Sequence, residues 1–128
     1  MTVQVCIKRA YDPVGSDDGY RVLVDRLWPR GLSKEALRAD DWIKDLAPSS
    51  VLRTWFGHKT ERWSEFRERY QAELRTPEQR RRMMDIQAAA KGKRITLVYG
   101  AKDTEHNQAV VLQQEMPLVF SSALMGKK

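Results

Sequence analysis

The amino-acid sequence predicts a small α/β domain with a mostly parallel sheet of about four to five strands flanked by helices. Short runs with strand character alternate with helical patterns along the chain. The run from Val22 to Val24 is apolar on both faces, as expected for a central strand, and the run at residues 95–99 is apolar throughout. The length of 128 residues suits one domain, and no repeat or linker divides it. We therefore expect residues 1–128 to form a single domain, with an edge strand and a flexible tail within 116–128.

The first third of the chain predicts strands and one short helix. Alternating apolar residues predict a strand over 3–9, and Asp, Gly and Pro make 10–19 a loop. Apolar residues over 20–27 predict a second strand, which Trp28-Pro29-Arg30-Gly31 stops. Ser33 is a cap for a helix reaching Arg38. A short strand is expected at 42–46.

Helices are predicted in the middle of the chain. Pro48 and Ser49 begin a helix that ends at Gly57, and Thr60 is expected to cap the next one. The second helix carries one apolar stripe, made of Trp63, Phe66, Tyr70 and Leu74. Thr76-Pro77-Glu78-Gln79 is a capping box that begins a third helix, and Gly92 ends it.

The last third predicts one strand, one helix and a second strand. Ile95 to Tyr99 is the strand with the clearest pattern in the chain. A turn leads from it to a helix over about 104–115. Residues 118–120 are expected to form an edge strand, and 126–128 a frayed tail.

Composition excludes several classes of protein. No apolar run approaches the roughly 18 residues that a membrane helix needs, and Met1 to Arg9 lacks a signal-peptide layout. We therefore expect a cytoplasmic protein with no membrane partner. The single cysteine, Cys6, excludes an internal disulfide framework and a multi-cysteine zinc site. Because phosphate-loop, dinucleotide-binding, nucleophile-elbow and zinc-protease motifs are missing, no cofactor and no metal are expected.

The chain is basic. Lys and Arg number 23 and Asp and Glu 17, which gives a net charge of +6. The densest group is Arg80, Arg81 and Arg82, followed by Lys91, Lys93 and Arg94. This group fits a contact with a nucleic-acid backbone, and it also fits a solvated helix face that keeps the protein in solution.

Polar residues follow two predicted strands where ligands gather in parallel sheets. The carboxyl end of the second strand carries Asp25, Arg26, Trp28 and Arg30, and the strand at 95–99 is followed by Lys102, Asp103, His106 and Asn107. Arginines and a lysine suit a small anion, and a helix N-terminus adds free N–H groups. Asp25 and His106 are the candidate acid–base residues; Arg26, Trp28, Arg30, Lys102, Asp103 and Asn107 are the candidate substrate-binding residues.

Each of these residues also has a structural interpretation. Asp25 and Arg26 could form a structural ion pair, and Trp28 could belong to the core. Asp103 is suited to capping a helix. His106 could be an exposed histidine at a helix terminus, and His58 could interact with the C-terminal end of the preceding helix.

Several sequence strings resemble the YeaO-like family of bacterial proteins, over about residues 5–115. The strings are Lys8 to Asp12, Asp18 to Lys34, Ala47-Pro48-Ser49, Leu52-Arg53 with Trp55-Phe56, Trp63 to Leu74, and Leu97 to Ala109 in part. The resemblance implies a small cytoplasmic α/β domain with an Asp-Arg pair after one strand and a His-bearing loop after another. Some members carry a Cys-His pair at the start of the last helix; here the stretch is His106-Asn107, without the cysteine. The resemblance implies no particular reaction.

Three functions remain open at this point. The first is an enzyme acting on a small anionic substrate, such as a nucleotide or nucleobase derivative. The second is a nucleic-acid-binding module that uses the net positive charge. The third is an interaction protein or dimer that uses the aromatic helix at 60–74.

Overall fold

Four parallel strands make up the sheet in the computed structural model, which describes residues 3–125. They are β1 (Val5–Arg9), β2 (Tyr20–Leu23), β3 (Asp41–Trp42) and β4 (Ile95–Tyr99). Their order across the sheet is β1-β4-β2-β3, and every pair is parallel. This arrangement confirms the predicted α/β class.

Strand β4 lies at the centre of the sheet and is buried at all its positions. It pairs with β1 from Ile95 to Tyr99 and with β2 from Ile95 to Val98. The Val24 N–H still donates to the Val98 carbonyl, 3.0 Å away. The carboxyl ends of β2 and β4 therefore lie side by side, and the segments that follow them start from neighbouring points.

Five α-helices complete the fold. They are α1 (Lys34–Leu37), α2 (Ser50–Phe56), α3 (Trp63–Leu74), α4 (Pro77–Ala90) and α5 (Gln108–Met125), with 3₁₀ turns at Lys44–Leu46 and Thr60–Arg62. Helix α5 packs on β1 and β4, and α3 and α4 pack on α5. Among the described residues, none of the helices is long and apolar enough to cross a membrane.

The hydrophobic core has two parts. The larger one joins residues of β2 and β4 to the apolar sides of α2 to α5. The smaller one contains Ala10, Leu23, Leu37 and Val98, with Trp28 and Trp42 packed against it. Because Val22 and Val24 belong to the first part and Leu23 to the second, β2 contributes apolar side chains to both.

Three helix starts are confirmed. The hydroxyl of Ser33 accepts from the Ala36 N–H at 3.0 Å, as predicted for α1. Ser49 caps α2 in the same way through the Leu52 N–H, and Gly57 ends that helix with a φ of 52°. Thr76 accepts from the Gln79 N–H at the start of α4. In these three places a short polar side chain before the helix predicts its beginning correctly.

Several predicted boundaries are wrong. The second strand ends at Leu23 rather than at residue 27, because Asp25 turns to bind the neighbouring strand end. Residues 42–46 are not a strand: β3 ends at Trp42 and a 3₁₀ turn follows. Thr60 does not cap α3, since it lies inside the 3₁₀ turn that leads into the helix.

The end of the chain differs most from the prediction. The last helix begins at Gln108 rather than 104, and it runs through the expected edge strand at 118–120. Val119 and Phe120 are buried while Leu118 is 61% exposed, as the period of a helix requires. The predicted tail at 126–128 lies outside the described residues.

Candidate functional site

Asp25 joins the carboxyl ends of β2 and β4 to the start of α5. Its Oδ2 accepts from the Gly100 N–H at 2.8 Å, and its Oδ1 accepts from the side-chain amide of Gln108. Its backbone carbonyl accepts from Trp42 Nε1 at 2.7 Å. Burial raises the pKa of Asp25 to about 6, although the two hydrogen bonds to the carboxylate act in the opposite direction.

Arg26 has few partners in the described part of the chain. Its Nη2 lies 3.5 Å from the Pro48 carbonyl, and its Nε is buried with no hydrogen-bond partner there. The structure thus shows no ion pair between Asp25 and Arg26. Each side chain contacts a different neighbour, Asp25 the start of α5 and Arg26 the residue before the cap of α2.

A cavity of about 220 Å³ lies between α2, α3 and the start of α5. We call it the basic cleft. Its basic side chains are Arg53, His58 and His106. The other lining residues are Pro48, Thr54, Phe56, Phe66, Asn107 and Gln108. Since no carboxylate belongs to this lining, the cleft combines positive charge with an aromatic wall.

His106 is held by Asp103. Its Nδ1 lies 3.0 Å from Asp103 Oδ2, and its ring packs edge-on against Trp63 with centroids 5.2 Å apart. Asp103 Oδ1 also accepts from the Glu105 and His106 N–H groups. The bond from Glu105 and those from His106 lower the pKa of Asp103. Asp103 thus closes the turn before α5 and orients the histidine ring, whose Nε2 makes no hydrogen bond to any of residues 3–125.

Asn107 caps α5. Its Oδ1 accepts from the Ala109 N–H at 2.9 Å and the Val110 N–H at 3.2 Å. Its Nδ2 donates to the Asp103 carbonyl at 2.8 Å. Although Asn107 lines the cleft, most of its hydrogen-bonding capacity is used by the backbone.

Three predicted residues neither belong to this lining nor bind a residue that does. Trp28 Nε1 donates to the Leu32 carbonyl, and its ring packs against Trp42 in the smaller core. Arg30 is exposed, and its carbonyl accepts from the Tyr11 hydroxyl. Lys102 is exposed in the loop after β4. Of the predicted residues, His106 and Asn107 line the cleft, Asp103 supports His106, and Asp25 and Arg26 contact the lining through Gln108 and Pro48.

Sequence reasoning missed Arg53, Thr54, His58 and Gln108. Arg53 and Thr54 lie on α2, and His58 follows the glycine that ends that helix. His58 has a φ of 58°, a left-handed conformation that is uncommon outside glycine. The string around Leu52 and Arg53 did carry the family resemblance, and this was the one signal that could have pointed to α2.

The structure bears on two other predicted surfaces. The aromatic stripe of α3 faces the core, where Phe66, Tyr70 and Leu74 are buried, while Trp63 is half-buried. In the basic group, Arg80 donates to Ser122, Arg82 to Gln79, and Arg94 to Gln4 and Asp17. Within residues 3–125 no group of three or more His, Cys, Asp or Glu side chains is arranged to hold a metal ion.

Comparison with known proteins places these features in a family. The family profile described as the inactive DUF488-N3 subclade matches residues 4–122. The uncharacterized protein YeaO of Escherichia coli (strain K12) is 49% identical over 106 residues, which are 82% of this chain and 90% of that protein. The uncharacterized protein Rv3073c of Mycobacterium tuberculosis (strain ATCC 25618 / H37Rv) is 51% identical over 71 residues, 56% of this chain and 60% of that protein. No solved structure matches the chain significantly.

Proposed function

This chain belongs to the inactive DUF488-N3 subclade, and from that premise we propose that it binds a small anion in the basic cleft without converting it chemically. The ligand we expect carries a phosphate or carboxylate on a small flat ring, the class that includes nucleotide and nucleobase derivatives. The observation that carries the proposal is the lining itself. Arg53, His58 and His106 share one cavity whose lining contains no carboxylate.

The charge of the cleft favours an anion. A guanidinium binds phosphate or carboxylate through paired hydrogen bonds. Because His106 Nδ1 donates to Asp103, its Nε2 is a donor to an anion in the form of the ring that is protonated on both nitrogens, which also carries a positive charge. Asp103 holds the ring from the side away from Nε2.

The walls of the cleft favour a ring attached to that anion. Phe56 and Phe66 stack on each other with centroids 4.3 Å apart, and Pro48 adds another apolar surface. A cavity of about 220 Å³ accommodates a phosphorylated six-membered ring. Ligand sites that combine apolar walls with polar groups are common at the carboxyl ends of parallel strands.

Two features argue against turnover. Asp25 is not part of the cleft lining and reaches it only through Gln108, so its carboxylate does not contact a ligand bound there. Some members of the family carry a cysteine at the start of the last helix. The corresponding stretch here, His106-Asn107, has no cysteine, so that nucleophile is missing. The description of the subclade as inactive agrees with both.

Calorimetric titration with phenyl phosphate tests the proposal. We expect the wild-type protein to bind it and Arg53→Gln to bind it at least about tenfold more weakly, since a charge-assisted bond is lost. His106→Gln should weaken binding as well. Arg67→Gln is the matched control, because Arg67 is an exposed arginine on α3 outside the cleft.

Turnover is measured separately with 4-nitrophenyl phosphate, which releases a coloured product when hydrolysed. We expect binding without release of nitrophenol above the rate in buffer. Release that disappears in His106→Gln would support the enzyme hypothesis instead. The absence of binding in the wild type, or equal losses in Arg53→Gln and Arg67→Gln, would overturn the anion site.

A further inference from the structure

The side-chain amide of Gln108 has one end bound to the protein and the other available. Gln108 is the first residue of α5 and lines the basic cleft. Its Nε2 donates to Asp25 Oδ1. Its Oε1 accepts no hydrogen bond from the side chains and backbone of the described residues, so it is the end of the amide left for a ligand.

The carboxylate of Asp25 dictates this orientation. An ionised carboxylate only accepts hydrogen bonds, so the amide must present its NH₂ group to it. The other oxygen of Asp25 is already bound to the Gly100 N–H, which fixes the carboxylate at the end of β4. Asp25 itself is outside the cleft lining, so it reaches a ligand only through Gln108.

Resting on the proposed function, we propose that Asp25 is a positioning residue that makes the basic cleft select anions whose ring carries a hydrogen-bond donor. It does so by holding the Gln108 carbonyl oxygen free for the ligand. Arg53, His58 and His106 supply donors for the anionic group, while Gln108 Oε1 supplies an acceptor. An amino group on the ring donates a hydrogen bond to Gln108 Oε1. A group that only accepts hydrogen bonds, at the same position, is repelled by that oxygen.

Replacing Asp25 with asparagine should reverse the orientation of the Gln108 amide. The Gly100 N–H still requires an acceptor, so the oxygen of the introduced amide faces Gly100 and its NH₂ group faces Gln108. Gln108 then satisfies that NH₂ group by turning its own oxygen inward. Its Nε2 becomes the free end, and the cleft presents a donor in place of an acceptor.

The test compares two probes that differ in this property, 4-aminophenyl phosphate and 4-nitrophenyl phosphate, by calorimetric titration at pH 7.5. We expect the wild type to prefer the amino compound by about tenfold. This is the expected difference between a ligand that donates a hydrogen bond to Gln108 Oε1 and one that places an acceptor against it. Asp25→Asn should reverse the preference. Gln108→Leu, which has no amide, should bind both probes alike, and Asp85→Asn on the exposed side of α4 should behave as the wild type.

The outcomes separate this inference from the proposed function. If neither probe binds the wild type, the anion site itself is wrong. If both bind with equal affinity, or if Asp25→Asn keeps the wild-type preference, the site stands and the positioning role is overturned. Side-chain amide signals of Gln108 in ¹⁵N NMR spectra give an independent readout, because its NH₂ group should exchange carboxylate contact for solvent in Asp25→Asn.

Discussion

Asp18 is an acidic residue that is only 7% exposed, and both oxygens of its carboxylate accept hydrogen bonds. Its carboxylate accepts from Arg21 Nη1 at 2.7 Å, Lys8 Nζ at 3.1 Å and the Gly15 N–H at 3.0 Å. Burial acts to raise its pKa, but the bonds from Gly15, Lys8 and Arg21 together bring the pKa below its usual value. Its stabilising effect is therefore present above the unfolded-state pKa and is lost as pH falls through the folded-state value.

The variant Asp18→Asn tests this contribution. Arg21 is 3% exposed, so the substitution leaves its charge buried without a counter-ion. We expect a loss of about 3 kcal/mol in the free energy of unfolding at pH 7, the usual cost of breaking a buried pair. Urea unfolding between pH 2 and pH 7 should show this difference shrinking at the acid end. A difference that stays constant with pH would show that the charge is not its cause.

The pKa of Asp25 is shifted in the opposite direction to that of Asp18. Its folded-state pKa is raised from 3.8 to about 6, so its ionised form costs stability. That cost to stability is absent below pH 3.8, grows between pH 3.8 and about 6, and is complete above about pH 6. Asp25→Asn should therefore be more stable than the wild type at pH 8 by about 1–3 kcal/mol, and equal to it near pH 4. Thermal unfolding across this range measures the effect; greater stability of the wild type at pH 8 would contradict it.

Single residues also show which parts of the site the sequence could predict. Asp103 and His106 were found because a turn after an apolar strand, with polar residues, marks a ligand-binding edge. Arg53 and His58 were not, because they reach the cleft from α2, about 50 residues earlier in the chain. That contact depends on how α2 packs on α3 and α5, which no local pattern reveals.

Helix α5 shows where local patterns fail at the level of elements. Leu118, Val119 and Phe120 form a short apolar run after Pro117, and such a run fits a strand as well as a buried helix. A proline before such a run is also unfavourable inside a helix. In the structure the helix continues through Pro117 to Met125, and the packing of Val119 and Phe120 against the core overrides the local preference.

The cap of α5 carries a prediction at this scale. Asn107 is 3% exposed and satisfies two N–H groups of the first turn. Asn107→Ala should lower the free energy of unfolding by about 2 kcal/mol, the upper end for a lost cap, because the freed groups are buried. Ser33→Ala removes the exposed cap of the four-residue α1 and should cost about 0.5 kcal/mol. Urea unfolding compares them, and equal losses would contradict the role of burial.

At the scale of the whole molecule, the sheet order explains why the class was predictable and the topology was not. Alternating strands and helices indicate a parallel sheet, and this is what the structure contains. Strand β4, however, inserts between β1 and β2, far from both in sequence. The apolar run at 22–24 indicated an interior strand, and β2 is one, but the neighbours of β2 and β4 in the sheet are set by long-range packing.

The distribution of charge argues against a nucleic-acid-binding surface. Consecutive residues on a helix are turned by about 100° from each other, so Arg80, Arg81 and Arg82 face different directions. Arg80 contacts Ser122, and Arg82 lies near Gln79 and Asp45, while Arg94 lies 3.5 Å from Asp17. The net charge of +6 is thus spread over the surface and partly offset by local partners.

Binding to a short single-stranded DNA, measured by fluorescence anisotropy, tests that distribution. We expect weak binding at about 20 mM salt that disappears by about 150 mM, since only a few phosphates can be neutralised at once. Arg81→Glu should weaken it only slightly, because no single arginine dominates, and phenyl phosphate should not displace the DNA, because the basic cleft is not the contact. Binding that persists at 150 mM and is abolished by Arg81→Glu would instead identify the face of α4 as a nucleic-acid site, separate from the cleft at the carboxyl ends of β2 and β4.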